Sequence, residues 1–321
     1  AANPLSLAAL DGHPRYRLWQ CDVADGAAVQ AALAACRPEA VLHLAAESHV
    51  DRSLEAPLAF VHSNITGTAT LLAATLAYWQ ALPAPARECF RFIHVSTDEV
   101  YGELAAGAAP CMEGAAYAPG SPYAASKAAA DHLARAWQRS YGLPVIVTAC
   151  TNNYGPRQFP EKLLPHLLLR ALHGLPLPLY GDGAQTRDWL HVDDHVAALL
   201  AVLARGQPGA TYHVSAGDER CNREVVHMLC DLLDARVPER RPAGVARFRE
   251  CIAAVADRPG HDRRYALDAS RLRRELGWQP RTAFAEGLAA TVQWYLDHAA
   301  WWQPLCADGL PRRGLPSGVS S

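Results

Sequence analysis

Short apolar runs alternate with longer helical patterns through the first half of the chain. No other feature limits the possible folds as strongly. Val41-Leu42-His43-Leu44 reads as a buried strand, and Phe92-Ile93-His94-Val95-Ser96 and Val145-Ile146-Val147-Thr148 read as two more. Helical patterns separate them: an alanine-rich one near Ala27 to Cys36, then Asn64 to Tyr78, then Pro122 to Tyr141. Such a βαβ rhythm predicts a parallel sheet covered on both faces. At 321 residues, half of them apolar, the chain can build a sizeable core in one or two domains.

The rhythm breaks after Tyr154-Gly155-Pro156. Helical patterns follow at Glu161 to His173, Asp194 to Arg205, Arg223 to Ala235 and Thr282 to His298. A short one at Asp268 to Leu276 has Asp268 as its expected N-cap and Gly277 as its stop. The expected organisation is a doubly wound, Rossmann-like domain at 1–156 and a smaller substrate lobe at 157–310. The lobe interleaves with the last sheet elements, and a Gly/Pro/Ser-rich, flexible tail closes the chain at 311–321. A dinucleotide fold opens on a strand, a G-x-G-x-x-G turn and a helix N-terminus. That turn is absent near Ala1, where the sequence reads as a loop, so the first βαβ unit is missing from the pattern.

Composition narrows the function. A net charge of -2 without a basic run argues against nucleic acid as a partner. No uninterrupted apolar stretch reaches membrane length, and the start has no signal-peptide pattern. Nine cysteines without a CxxC pair read as reduced, mostly buried thiols of a cytoplasmic protein. Fourteen histidines include no HExxH pair, so no metal site is expected.

The chain holds two lysines, Lys127 and Lys162, against twenty-eight arginines. A lysine kept in that background suits chemistry that needs a compact ammonium. Tyr123 lies four residues before Lys127, on one helical face, and an ammonium there favours a phenolate. An ordinary surface pair has the same spacing. Upstream, the Phe92 strand ends in Thr97-Asp98-Glu99, where α/β sheets place ligands. Adjacent carboxylates take opposite protonation roles when their surroundings differ; a solvated turn is the plainer alternative. Small residues at Leu44-Ala45-Ala46 would let a cofactor approach the backbone, or make a simple loop. Asp22 suits an adenine amine or a helix cap. Asn152 and Asn153 suit a sugar or a turn. Arginines in 182–189 and 257–264 suit phosphate or a solvated ion-paired loop.

LAAESHVDRS at 44–53, STDEVYG at 96–102, SPYAASK at 121–127, NNYGP at 152–156, FPEKL at 159–163, RDW at 187–189 and ADRPGHDRRYALD at 256–268 stand in one order. Together they resemble the extended short-chain dehydrogenase/reductase family, and within it the dTDP-glucose 4,6-dehydratases, from about Cys21 to Trp301. The acid pair separates a dehydratase from the related 4-epimerases. The resemblance implies NAD as cofactor, contacted by Asp22, Val23, Leu44, Ala45, Ala46, Glu47, Ser48, Ser63, Tyr123, Lys127 and Asn153. It implies a nucleotide sugar held by Ser48, Thr97, Asn152, Lys162, Leu163, Pro178, Leu179, Tyr180, Arg187, Asn222, Asp257, Arg258, Pro259, Gly260 and His261. It implies a homodimer through a four-helix bundle built on the 64–78 and 122–141 helices.

The implied reaction oxidises C4 of the hexose, eliminates water across C5–C6 and returns hydride to C6. Tyr123 acts as base with Lys127, Glu99 takes the C5 proton, Asp98 protonates the leaving hydroxyl and Thr97 aligns the C4 oxygen. The alternatives are a dehydratase or 4-epimerase for a UDP-, CDP- or GDP-sugar, or an inactive fragment that only dimerises. Without the glycine-rich turn, NAD retention is expected to be weak.

Overall fold

The computed structural model describes residues 3–307 and 309–310; the tail reading at 311–321 lies outside them. A short 3-10 helix at Pro4–Leu10, capped by Asn3, stands where the sequence reads as a loop. It is tied to the far end of the chain: Asn3 Nδ2 donates to Trp301 O at 2.8 Å, and Trp301 Nε1 donates to Ser6 Oγ at 3.1 Å.

The first half runs α1 Gly26–Cys36, β1 Ala40–His43, α2 Val50–Glu55, α3 Pro57–Phe60, α4 Gly67–Gln80, α5 Ala84–Cys89, β2 Arg91–Thr97, α6 Pro122–Tyr141 and β3 Val145–Cys150. The second half begins β4 Asn152–Tyr154, α7 Leu163–Leu172, β5 Leu177–Tyr180, β6 Thr186–His191 and α8 Val192–Arg205. It continues β7 Thr211–Val214, β8 Glu219–Cys221, α9 Asn222–Arg236, β9 Ile252–Val255, α10 Ser270–Leu276, α11 Phe284–Asp297 and α12 Ala299–Trp302.

The main sheet is parallel in the order β1-β2-β3-β7. Alternate side chains leave it on opposite faces. Phe92, Val145 and Val147 pack with Leu72 of α4 and Ala134 of α6. Ile93 and Ile146 pack with Leu199 and Val202 of α8 and Leu272 of α10. Both faces are therefore covered, which is why β2 and β3 read as continuous apolar runs. β7 comes from the second half of the sequence, so the main sheet crosses residue 156. The lobe has its own core, where Leu164 and Leu168 of α7 meet Val225 and Leu229 of α9 and Leu288 and Val292 of α11. Two small sheets, β4-β6-β8 and β5-β9, connect it to the cleft.

Several local expectations change. β1 is not the buried strand expected: Leu42 is 37% exposed, and Leu44, at 54%, lies past the strand end. Among the described residues β1 pairs only with β2, so its outer side has no strand against it. The helix expected at 64–78 opens with a π-helical stretch at Val61–Thr66 before α4. There Thr68 Oγ1 donates to Asn64 O at 2.6 Å, a side-chain bond that competes with the regular ladder. Asp268 does not cap α10; Ala269 holds that position, and Asp268 Oδ1 accepts from Ser270 N at 2.7 Å. Gly277 ends the helix at φ 64°, as the sequence suggests. All nine cysteines are free, but only Cys230 is buried, and Cys21, Cys36 and Cys89 are exposed on peripheral segments. No helix of the described residues is long and apolar enough to cross a membrane.

Candidate active site

Strand β2 delivers the acid pair. It ends at Thr97, which caps a 3-10 turn at Asp98–Tyr101. Thr97 Oγ1 accepts from Glu99 N at 3.4 Å and donates to Asp98 Oδ1 at 3.0 Å. The turn leaves through Gly102 at φ 77°, where a Cβ would sit 2.1 Å from Ala118 O, so only glycine fits. Helix α6 starts beside it, with Ser121 capping Ala124 N at 3.1 Å and Pro122 in the first turn. That start places Tyr123 and Lys127 one turn apart, both buried. The Thr97 side chain acts on the Tyr123 phenol in the direction that favours its anion.

A cavity of about 280 Å3 is lined by Leu44, Ala46, Ser48, Thr97, Asp98, Glu99, Tyr123, Lys127, Asn152, Asn153 and Lys162, with Cys150 and Gln158. A second, of about 130 Å3, shares Ser48, Glu99, Asn152 and Lys162 with it and adds Leu163, Arg187, Asn222, Arg258 and His261. The two form one cleft between the sheet and the lobe.

The surroundings of the two acids differ. Burial, and then the neighbouring Glu99, push Asp98 up to about 7. Burial also raises Glu99, but Arg258, Arg187 and Lys162 oppose the shift. Asp98 is thus poised between its two forms near neutral pH, while at Glu99, also raised, three cations oppose the rise that burial imposes. Tyr123 departs from the sequence expectation. Burial and the Glu99 charge push its phenol well above the ordinary value, so Lys127 alone does not make it acidic. Lys127 Nζ instead donates to Val95 O at 2.8 Å.

On the lobe side the cations have protein partners. Lys162 Nζ donates to Ser48 O at 2.6 Å, across the cleft. Arg258 pairs with Asp51 Oδ1 at 3.0 Å, while Tyr180 OH donates to Asp51 Oδ2 at 2.8 Å. Burial raises Asp51, but Arg258 and Tyr180 overcome it and hold the carboxyl at about 2. Arg187 is buried, not solvated: its guanidinium donates to Thr186 O, Arg263 O and Asp262 O and lies 4.5 Å from the Tyr265 ring centroid. His261 Nδ1 meets Asp257 Oδ1 at 2.5 Å, and burial and Arg258 bring His261 down to about 4.

Other anticipated contacts lie away from these linings. Asp22 is exposed; it accepts from Ala24 N at 2.9 Å and meets His62 Nε2 at 3.2 Å, while Asp25 is the residue that caps α1. Val23 packs at Gly67, and Ser63 sits in the π-helical stretch. Ala45 and Glu47 flank the lining, with Glu47 paired to Arg52 at 3.0 Å. Pro178 and Leu179 are in β5, and the Leu179 side chain belongs to the lobe core. Asp257, Pro259 and Gly260 are exposed.

Sequence reasoning passed over three supports. Asp51 stood unremarked inside the quoted VDRS. Asn64 fixes the loop after β1: its Oδ1 accepts from Glu47 N at 2.8 Å, and its Nδ2 donates to Glu47 O at 3.0 Å and Ser126 Oγ at 2.8 Å. Asp131 follows Lys127 by one helical turn, and that spacing was the available signal.

Among the described residues, Asp98 Oδ2, Thr151 Oγ1 and Asn152 Oδ1 are buried acceptors without a hydrogen-bond partner. Set beside Tyr123, Lys127 and the small Ala46, they fit the hydroxyls of a ribose or hexose and the nicotinamide-ribose end of a dinucleotide.

A family profile described as GDP-mannose 4,6 dehydratase matches residues 4–291. A dTDP-glucose 4,6-dehydratase of Neisseria meningitidis serogroup B is 54% identical over 303 residues, 94% of this chain and 85% of that protein. DesIV, a dTDP-glucose 4,6-dehydratase from Streptomyces venezuelae solved with NAD bound, superposes with a TM-score of 0.85 at 43% identity, covering 95% of this chain and 87% of that one. The dTDP-glucose 4,6-dehydratase of Bacillus anthracis in complex with NAD gives 0.81 at 38%, covering 94% and 87%.

Proposed function

The chain belongs to the dTDP-glucose 4,6-dehydratase family, and from that premise we propose how its own residues divide the NAD-mediated conversion of dTDP-glucose to the 4-keto-6-deoxy product. NAD, when bound, supplies the hydride acceptor for C4 and the donor for C6. Tyr123, Lys127 and Asn153 hold its nicotinamide-ribose end, against the small residues Leu44 and Ala46. Tyr123 takes the proton of the C4 hydroxyl, and Thr97 aligns that oxygen. Because burial opposes the phenolate here, the step depends on positive charge in the cavity, which Lys127 contributes. The C4 ketone acidifies the C5 hydrogen, Glu99 removes it and returns a proton to C5 once C6 has received hydride, and Asp98 gives its proton to the departing C6 hydroxyl. Lys162 and Arg258 meet the diphosphate, and Asn222, Leu163 and the β5 segment flank the nucleoside.

One observation carries this division. Adjacent carboxylates share one cavity, and the fold brings three cations to Glu99, whereas at Asp98 burial and a like charge outweigh Thr97 and Arg187. The test is mixing with dTDP-glucose while following nicotinamide absorbance and product. Tyr123→Phe is expected to give no reduced cofactor. Glu99→Gln is expected to accumulate it, because oxidation proceeds and elimination stalls. Both variants stalling at one step would break the division. Product from UDP-glucose alone would reject the base assignment.

The same reading assigns cofactor binding to 1–156 and substrate binding to 157–310, with β7 returning to the main sheet. It assigns a homodimer contact to the helices at 64–78 and 122–141. What supports that contact is exposed apolar surface just before the first of them, Leu58 at 79% and Val61 at 43%. Light scattering should find two chains per particle, and one chain with Leu58→Glu.

A further inference from the structure

Lys127 is 4% exposed, and an ammonium so buried needs an opposite charge to remain one. Its single hydrogen bond in the structure goes to a neutral carbonyl, Val95 O. Outside the acid pair and Tyr123, which share its cavity, the groups that face it are few. His43 from β1 and His94 from β2 both feel its charge, and burial holds both below the ordinary histidine value. Cys150 from β3 is a thiol that burial pushes up to about 12. None of these is an anion at neutral pH. Asp131, one turn further along α6, is.

Asp131 is completely buried, yet its carboxylate is fully dressed. It meets His94 Nε2 at 3.0 Å, accepts from Ser96 Oγ at 2.8 Å and accepts from Tyr117 OH at 2.7 Å. Burial raises it, but these partners and Lys127 outweigh burial and lower it. Arg135 lies behind, donating to the Tyr117 oxygen at 2.6 Å. Of these groups Ser96 alone lines a cavity, and the acid-base steps above make no use of the cluster.

We propose that Asp131 is a positioning residue for the reaction: it is the buried counter-ion that keeps Lys127 an ammonium, one helical turn from Tyr123. The proposal rests on the role given to Tyr123 and Lys127, but its test does not. With only two lysines in the chain, lysine labelled with 15N gives two side-chain resonances, and Lys127→Arg assigns them. Their pH titrations can be read on the folded protein without substrate or cofactor. In the wild type Lys127 should stay charged through neutral pH. In Asp131→Asn its pKa should fall by about 1–3 units, the scale of one nearby opposite charge, while Lys162 serves as internal control and does not move. Asp131→Glu should restore most of the difference. Tyr117→Phe removes a hydrogen bond but no charge and should leave Lys127 in place. The pH at which C4 oxidation reaches half its maximum should rise in Asp131→Asn, with KM for the sugar nucleotide unchanged. A Lys127 titration unmoved by Asp131→Asn overturns the proposal. So does a Lys127 already neutral at pH 7 in the wild type, a result that needs no variant to fold.

Discussion

The two ends of the cleft are built on opposite principles. At the sheet end, the reactive groups sit on strand termini and the first turn of a long helix, and their polar atoms are left partly unmet. Asp98 Oδ2 has no partner, and its carboxyl is poised at about 7. At the lobe end, Lys162, Arg187 and Arg258 come from the edge of a short helix, a strand and a loop, and each already has a protein partner, although Arg258 Nε is left unmet. A charge meant to transfer a proton must sit where its two forms are nearly balanced. A charge meant to hold a diphosphate must stay fixed and ionised until the ligand arrives. The first kind of site costs folding stability, and the second kind adds to it.

Substitutions should separate the ends. The largest effect belongs to the sheet end: Glu99→Gln should lower kcat by roughly two to four powers of ten with KM little changed. Steady-state rates that show a KM effect instead would erase the distinction. Next, Arg258→Ala should raise KM by about 10- to 100-fold, the range of one charged hydrogen bond, and leave kcat nearly intact.

Asp51→Asn tests whether the lobe end stabilises the fold. Its folded carboxyl is held at about 2 against an ordinary value of 3.8. The stabilisation it provides is therefore complete above pH 4 and lost as pH falls toward 2. Thermal melts should show the variant less stable at pH 7, by about 2–3 kcal/mol, the free-energy equivalent of holding the carboxyl at about 2, and the gap should close as pH falls through about 2. Asp98→Asn should do the reverse. Asp98 is raised from 3.8 to about 7, so its contribution is favourable below pH 4 and is lost as pH rises through about 7. The variant should melt higher than wild type at pH 8.5 and equal to it near pH 4. The smallest effect is Asp22→Ala. That side chain is exposed, so the melting temperature should not shift measurably.

The sequence by itself determined three of the four main-sheet strands, the long helices and the chemistry. Continuous apolar runs at 92–96 and 145–148, a Ser-Pro helix start at 121–122 and Tyr123 four residues before Lys127 are local signals, and local signals survive without coordinates. The acid pair was legible for the same reason: a strand end and its next two residues are one short segment. Tertiary structure decided what depends on neighbours far away in sequence. It set how differently the two carboxylates are surrounded, because Arg258, Arg187 and Lys162 reach Glu99 from three separate segments. It set Asp51 against Arg258 across 207 positions, and it exposed β1, which composition alone reads as buried. It also turned Asp131 from one more charge on a helix into the partner of a buried ammonium, since burial and charge pairing belong to the assembled fold and not to the segment.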